Sequence, residues 1–329
     1  MRPLPRQILT ASKTPLFLIS NLTNIRYMTG VSVSSGLVLV LPTKYVLFVD
    51  SRYFELAKKG VSGGVIVKDI DEMGNYLIRR ICGYESEDVT ISRLRRWKSK
   101  FKNTKFVHNE GVIDAFRRGK DETELRLIRR AHTITKELLR RIPASLKVGI
   151  RENQLAWKIE MWAHELGAEG MAFPSIVAFG KNSSRPHHHP TSQKLKKGDL
   201  VQIDIGAKYN NYCSDRSVVF FTKKPTPVQQ KAFSAVYEAK EKAKRAVKKG
   251  ASTQTLDRIA RDVLKKYGME DAFTHSLGHG VGLDIHEGVT LSSRAPDKKL
   301  LKGEVITIEP GVYFEGKFGI RLEDMVIVS

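Results

Sequence analysis

A ten-residue phrase occurs twice in this chain and constrains its fold more than any other feature. Residues Lys197 to Gly206 read KGDLVQIDIG, and Lys302 to Gly311 read KGEVITIEPG. The pattern Lys-Gly-acid-aliphatic-aliphatic-x-Ile-acid-x-Gly recurs at a constant offset of 105 residues, from 197 to 302 and from 204 to 309. Each phrase is a β-rich apolar run interrupted by one acid, Asp204 in the first and Glu309 in the second. Each leads through a turn into a second run with another acid, Asp215 or Glu323. Two β-runs around an Asn-rich or Gly-centred turn read as a hairpin. In the first hairpin two tips are possible. Tyr209-Asn210 sets Asp204 opposite Asp215, and Asn210-Asn211 shifts the pairing by two. Both leave the carboxylates on one face, roughly 5 to 8 Å apart. A second hairpin centred on Gly316 sets Glu309 opposite Glu323. Carboxylates so placed repel unless a proton or a cation lies between them. A single such hairpin would read as solvent-facing with two exposed acids; the repetition argues against that.

The repeat extends to the helices. Asp121 to Glu124 form a capping box, followed by apolar residues at Leu125, Ile128, Ala131, Ile134 and Leu138, and the helix is expected to end before Pro143. Thr226-Pro227 opens its counterpart, with Pro at the first helical position, running to about Gly250. A second helix follows each, over roughly Glu152 to Gly167 and Thr253 to Gly268. The C-terminal part is therefore helix, helix, hairpin, repeated twice. This predicts an α+β domain of pseudo-two-fold symmetry with the four acids converging where the half-sheets meet.

With 329 residues and 41% hydrophobic content, the chain can bury a large core in about two domains. The N-terminal stretch Met1 to Lys13 is polar and Pro-broken, unlike a signal peptide, and no apolar run approaches 18 residues. Cys82 and Cys213 lie far apart and suggest no disulfide framework. The expectation is a soluble, cytoplasmic protein with no membrane segment. The net charge of +21 raises nucleic acid as a partner. The densest basic patch, Arg93 to Lys102, interleaves cations with Trp97 and Phe101, as a strand-binding surface would. An amphipathic helix with both aromatics packed inward explains the patch better, because no nucleic-acid motif accompanies it. No specific nucleic-acid partner is expected. The run Lys240 to Lys249 reads as an exposed helix face.

Residues 1–117 alternate strand and helix signals, with strands at 15–19, 36–41, 45–49 and 65–67, and helices near Arg52 to Lys59 and Asp71 to Cys82. This predicts a smaller α/β domain without the spacing of a catalytic site. The junction falls at Phe116 to Lys120, and residues 118–329 form the second domain. Each half of that domain has a longer segment before its hairpin. The first contains Phe173 to Gly180 and the run His187-His188-His189. Three consecutive histidines cannot all face one centre, so at least one is expected to face solvent. The second is HSLGHGVGLDIHE, from His275 to Glu287, whose glycines at 278, 280 and 282 permit close backbone approach to a ligand. Histidines at 275, 279 and 286 beside four converging acids exceed what a structural role explains.

Taken together, these residues resemble the pita-bread (creatinase/aminopeptidase-fold) metallopeptidases, within the branch of Xaa-Pro dipeptidase (prolidase) and aminopeptidase P. The segment His275 to Glu287 is similar to that branch's signature, and Asn24 to Gly30, NIRYMTG, looks like its creatinase-like N-terminal domain. The resemblance implies a pita-bread catalytic domain over 118–329 with five metal ligands: Asp204, Asp215, His279, Glu309 and Glu323. Asp204 would chelate one ion, His279 and Glu309 the other, with Asp215 and Glu323 bridging. It implies two divalent ions per chain, Mn²⁺ first, with Co²⁺, Zn²⁺ or Fe²⁺ tolerated by this oxygen-rich set. The implied activity is hydrolysis of Xaa-Pro bonds in short peptides by a hydroxide bridging the ions, with Glu309 also handling the water's proton. His187, His275 and His286 would contact the substrate, and a homodimer is implied.

The chain departs from the family pattern in places. Asp215 is followed by Arg216, Ser217 and Val218, where relatives have an apolar residue, Thr and Arg. Val289 and Thr290 stand where many relatives have Pro and Arg, which leaves Arg294 or Arg321 as candidates for the substrate carboxylate. Phe173 and Phe179 are candidates for an apolar wall around proline. Two other readings are a non-catalytic binding protein on the same scaffold, with a protein or nucleic-acid partner, and hydrolysis of a non-peptide C–N bond, as in creatinase. The complete ligand set disfavours both.

Overall fold

The densest aliphatic runs of the first 117 residues form the centre of a sheet. The computed structural model describes residues 2–77 and 80–329, and the chain divides into two compact units, Met1–Arg117 and Arg118–Ser329. The first unit holds a six-stranded mixed sheet in the order Val65–Asp69, Tyr45–Val49, Leu37–Val40, Leu16–Ile19, Ile81–Glu85, Lys105–Asn109. Its middle strands LFLI, LVLV and YVLFV are buried throughout, as expected for strands covered on both faces.

Two expectations for this unit change. The helix predicted over Asp71 to Cys82 is a 3₁₀ turn, Ile70–Met73, and a short helix, Gly74–Leu77; residues 78 and 79 lie outside the described residues. Cys82 sits in the strand Ile81–Glu85, paired in parallel with Leu16. The run Ile-Cys-Gly-Tyr is too short for periodicity to distinguish strand from helix. The basic stretch is the helix Ile91–Lys100, capped by Thr90. Trp97 and Phe101 are buried, Trp97 packs against Tyr84 and Phe106, and the cations lie on the outer face.

In the second unit each half builds its own core. Helices Glu122–Ser145 and Glu152–Glu165 pack on the strands Ile176–Phe179, Leu200–Ile205 and Arg216–Phe221, burying Ile134, Leu138, Leu155, Ile159, Val201 and Ile203. Helices Pro227–Arg245 and Thr253–Lys266 pack on a sheet of Glu287–Leu291, Gly278–Gly280, Val305–Ile308 and Asp324–Ile327. There the helix facing the sheet is alanine-rich, with Ala232, Ala235, Ala239 and Ala243 buried. The half-sheets are sewn together by Gln202, whose side chain accepts from Arg321 N (2.8 Å) and donates to Arg321 O (3.2 Å), and by Glu323 N donating to Ser217 O (3.0 Å).

The capping box at Asp121/Glu124 forms, and a second one forms at Thr226/Gln229. Pro143 does not end its helix, which continues to Ser145. Within the last turn a proline forfeits only one bond, to a carbonyl near the fraying end. The counterpart helix stops at Arg245, short of Gly250. Its basic run is not a uniformly exposed face either. Lys240 is buried, and the Lys240 and Lys244 ammoniums, one turn apart, both reach Asp324, at 2.8 and 2.7 Å, with Arg216 on the other oxygen at 3.1 Å.

Candidate active site

The first hairpin turns at Asn210 and Asn211, both in the left-handed region with φ of 46° and 66°, as a two-residue primed turn requires. This selects the Asn210-Asn211 tip: Tyr209 pairs with Tyr212, and Asp204 pairs with Ser217. Asp215 is two residues from Ser217 and shares its face with Asp204. Gly206 lets the strands cross closely here, since a Cβ on it would lie 1.8 Å from Ser214 O. In the second hairpin Ile308 pairs with Asp324 on one ladder and Gly311 with Arg321 on the next. Glu309 therefore lies opposite Glu323, with Gly316 (φ 68°) at the tip.

His279 comes from the short strand Gly278–Gly280, inserted between Glu287–Leu291 and Val305–Ile308. The glycines around it serve the chain rather than a ligand. Cβ atoms at Gly278, Gly280 and Gly282 would lie 2.1, 2.1 and 2.2 Å from Thr307 O, Glu287 O and Glu287 Oε1. His279 Nδ1 donates to Gly280 O (3.1 Å), which fixes the tautomer and turns the Nε2 lone pair toward Glu309 (3.4 Å) and Asp215 (3.6 Å).

Asp215, His279 and Glu323 each offer a ligand atom, all within 4.8 Å of one another. Asp204, Asp215, His279 and Glu309 line a cavity of about 390 Å³ together with Phe173, His187, His275 and His286. The electrostatics are those of a cation site. Burial raises the Asp215 and Glu323 carboxyls well above their usual range, and the neighbouring carboxylates raise them further. Burial pushes Glu309 up to about 8. Burial also lowers His279 to about 4, so its imidazole is neutral and ready to ligate. Asp204 Oδ1, Asp215 Oδ1 and Glu323 Oε1 are buried without a hydrogen-bond partner. Three orphaned carboxyl oxygens in a site that also holds a neutral imidazole fit divalent ions, and leaving them unpaired would be costly.

Several expected substrate contacts are placed differently. Arg321 is buried and already engaged: Nη2 donates to Asp204 Oδ2 (2.5 Å), Nε to Ser217 Oγ (3.0 Å), and Nη1 to Tyr313 Oη (2.6 Å) and Pro186 O (3.2 Å). It orients Asp204 and is not available to clamp a carboxylate. Arg294 is exposed on the turn after Glu287–Leu291 and does not line the cavity; alternation along that strand sends Val289 into the core. Phe179 is likewise buried in the first-half core, leaving Phe173 at the cavity. His275 lines the cavity, but Nδ1 donates to Ser276 O (2.8 Å) and Nε2 accepts from Tyr313 Oη (2.9 Å). Burial lowers it to about 4, so it offers substrate its ring rather than a nitrogen. The three consecutive histidines all line the cavity, with His188 buried and His187 and His189 exposed.

Tyr313 was not legible in the sequence: it falls outside the repeated phrase, and only folding links it to His275 and Arg321. Arg321→Ala is expected to weaken metal affinity by about 10- to 100-fold. It should also destabilise the protein by about 3–5 kcal/mol, because Asp204 would remain buried without its partner. Chelator competition and thermal unfolding measure the two effects, and no change in either would show that Arg321 does not hold Asp204.

The profile of metallopeptidase family M24 matches residues 126–329, and that of the creatinase/prolidase N-terminal domain matches residues 5–118. The chain is 35% identical over 310 residues to the Xaa-Pro dipeptidase of Pyrococcus furiosus, covering 93% of this chain and 88% of that one. The crystal structure of the prolidase from Pyrococcus horikoshii superposes with a TM-score of 0.93 at 32% identity, covering 99% and 95%. That of X-Pro aminopeptidase from Thermotoga maritima gives 0.89 at 33% identity, covering 98% and 95%. With a catalytic-domain profile spanning both hairpins and relatives matched along nearly their whole length, this chain belongs to metallopeptidase family M24.

Proposed function

We propose that this protein is a metal-dependent hydrolase of Xaa-Pro bonds in short peptides. The observation that carries the reading is the set of orphaned buried carboxylate oxygens around His279, beside a cavity walled by Phe173 and histidines. Asp204, Asp215, His279, Glu309 and Glu323 would hold two divalent ions, Mn²⁺ first. The ions would polarise the scissile carbonyl and lower the pKa of a shared water. Glu309 would also handle the proton of that water, as the family resemblance implies. A bond to proline has no N–H, so the wall need not satisfy that donor and can be apolar and ring-shaped, as Phe173 and the His275 ring are. The test is hydrolysis of a panel of Xaa-Pro peptides by metal-stripped protein, with and without Mn²⁺ or Co²⁺. Cleavage should appear only with metal and only before proline; metal-free cleavage, or indifference to proline, would refute the reading.

The cavity also bears on peptide length. Among the described residues Arg321 is the only Lys or Arg lining it, and its guanidinium is committed to Asp204, Ser217 and Tyr313. A dipeptide's carboxylate would meet imidazoles rather than a free bidentate cation. Xaa-Pro-Yaa tripeptides are therefore expected to be cleaved at least as well as Xaa-Pro dipeptides. Arg294→Ala should change KM for either by less than about threefold, the scale of a surface change away from the site. A strong dipeptide preference, abolished by Arg294→Ala, would reverse this.

The proposal extends to a homodimer in a reducing compartment, the cytoplasm. Cys82 and Cys213 are buried and form no disulfide, as is usual where disulfides do not persist. No helix among the described residues is long and apolar enough to cross a membrane. Sedimentation at micromolar concentration tests the dimer.

A further inference from the structure

The Glu152 carboxylate accepts five hydrogen bonds, and the reaction outlined above does not use it. It is fully buried at the first position of the helix Glu152–Glu165. Oε1 accepts from Phe179 N (2.8 Å) and Asn182 Nδ2 (2.9 Å). Oε2 accepts from His188 Nε2 (2.9 Å), Thr191 N (2.9 Å) and Thr191 Oγ1 (2.6 Å). These donors, with the favourable helix N-terminus, overcome burial and bring the carboxyl down to about 2, so it is an anion throughout the neutral range.

The two oxygens serve different parts of the chain. Oε1 holds the start of the segment from Phe179 to Thr191, and Oε2 holds its end. Between these points the chain forms a 3₁₀ turn, Gly180–Ser184, with single hydrogen bonds from Gly319 N to Ser183 Oγ (2.9 Å) and from Arg321 Nη1 to Pro186 O (3.2 Å). Pro186, His187, His188 and His189 from this segment line the cavity. Because a carboxylate only accepts, His188 Nε2 must carry a proton, and the ring is drawn toward Glu152. His187 and His189, on either side of it, are left exposed at the cavity. If only stability were served, well-packed apolar residues could replace a buried ionic cluster without loss.

We propose that Glu152 is a positioning residue for substrate recognition: by clamping both ends of the segment from Phe179 to Thr191, it fixes the histidine wall that faces the peptide. The inference rests on the Xaa-Pro hydrolase reading for its substrate, while the clamp itself can be observed without turnover. A Gln side chain has one acceptor oxygen and an NH₂ that faces donors, so Glu152→Gln opens one end of the clamp.

The experiment uses the full chain ¹⁵N-labelled at histidine, with diamagnetic Zn²⁺ for the spectra, because paramagnetic Mn²⁺ would erase signals near the site, and with Mn²⁺ for hydrolysis. In the wild type the His188 Nε2–H should be protected from exchange. In Glu152→Gln that protection should be lost and the ring signals of His187 and His189 should move, while His279 stays in place. The bound-metal content should be unchanged. Hydrolysis of an Xaa-Pro-Yaa peptide should fall about 10- to 100-fold in kcat/KM, the range for residues that hold others in place, with most of the loss in KM. Glu152→Asp, which keeps the charge, should recover part of it. Unmoved His187 and His189 signals with kcat/KM within about threefold of wild type would overturn the proposal. If Glu152→Gln does not fold, Thr191→Val removes one donor and Asn182→Ala another, and a wall unchanged in both would overturn it equally. A wild type that cleaves no Xaa-Pro peptide refutes the functional reading and leaves the spectra to decide the clamp.

Discussion

Glu323→Gln or Asp215→Asn in the Mn²⁺-loaded protein should lower kcat for Xaa-Pro hydrolysis by about 10³-fold or more, as loss of a central catalytic group does elsewhere. Asp204→Asn should cost roughly tenfold less. The reasons lie in the geometry of the three acids. All three keep one buried oxygen that no protein donor reaches, but Asp215 and Glu323 also offer ligand atoms grouped with that of His279, which supports the bridging role that the family resemblance implies for them. Asp204 spends one oxygen on Arg321 and has less to offer. Hydrolysis and metal content must be measured together, since a variant that loses one ion per chain differs from one that keeps both and turns over slowly. Equal losses for all three variants would contradict the bridging assignment, and full activity in a metal-stripped sample would end the dinuclear reading altogether.

The second large effect concerns stability without metal. Asp215, Glu309 and Glu323 all have carboxyls raised in the folded state, chiefly by burial. Between the ordinary and the raised value the folded chain binds more protons than the unfolded one. Stability from these groups is thus complete below the ordinary value and is lost as pH rises through the raised one. For Glu309 the window runs from 4.5 to about 8. The metal-stripped protein should therefore melt lower at about pH 8.5 than at about pH 5. The expected difference is on the order of 5–10 °C, given about 2–4 °C per kcal/mol for a domain of this size. Mn²⁺ should raise Tm more at the higher pH, because metal replaces the protons. Glu152 acts in the opposite sense. Its carboxyl is lowered from 4.5 to about 2, so its contribution is present above the ordinary value and fades as pH falls below this window. A flat profile for the stripped protein, with equal metal shifts at both pH values, would show that the acids are not crowded as described.

Much of this organisation is legible in the sequence because it depends on local periodicity. Strand side chains alternate with period two, so a repeated phrase with an acid at a fixed place dictates one face for each acid pair once a hairpin is granted. The caps at Asp121 and Thr226 rely on residues three apart and need no tertiary context. The amphipathic reading of Arg93 to Lys102 follows from the same kind of spacing. Where local rules were silent or ambiguous, the expectation slipped. Pro143 is tolerated because it lies near a helix end. Cys82 lies in a strand because a parallel neighbour claims it. Lys240 is buried because Asp324 approaches from across the sheet.

The sequence by itself determined that two helix-helix-hairpin halves each carry a facing pair of acids, since chain-local geometry suffices for that, and the family resemblance added His279. Only the tertiary structure decided how each remaining side chain is spent. Arg321 and Arg294 are equally cationic on paper, yet one is consumed by Asp204 and the other lies outside the cavity. His275 has both nitrogens engaged, whereas the Nε2 lone pair of His279 faces the acids. Glu152, a routine first-turn acid in the sequence, gathers five donors from a segment that begins 27 residues further along. A polar side chain's role is set by the partners that desolvation forces on it. Those partners come from distant parts of the chain, at distances no local pattern encodes.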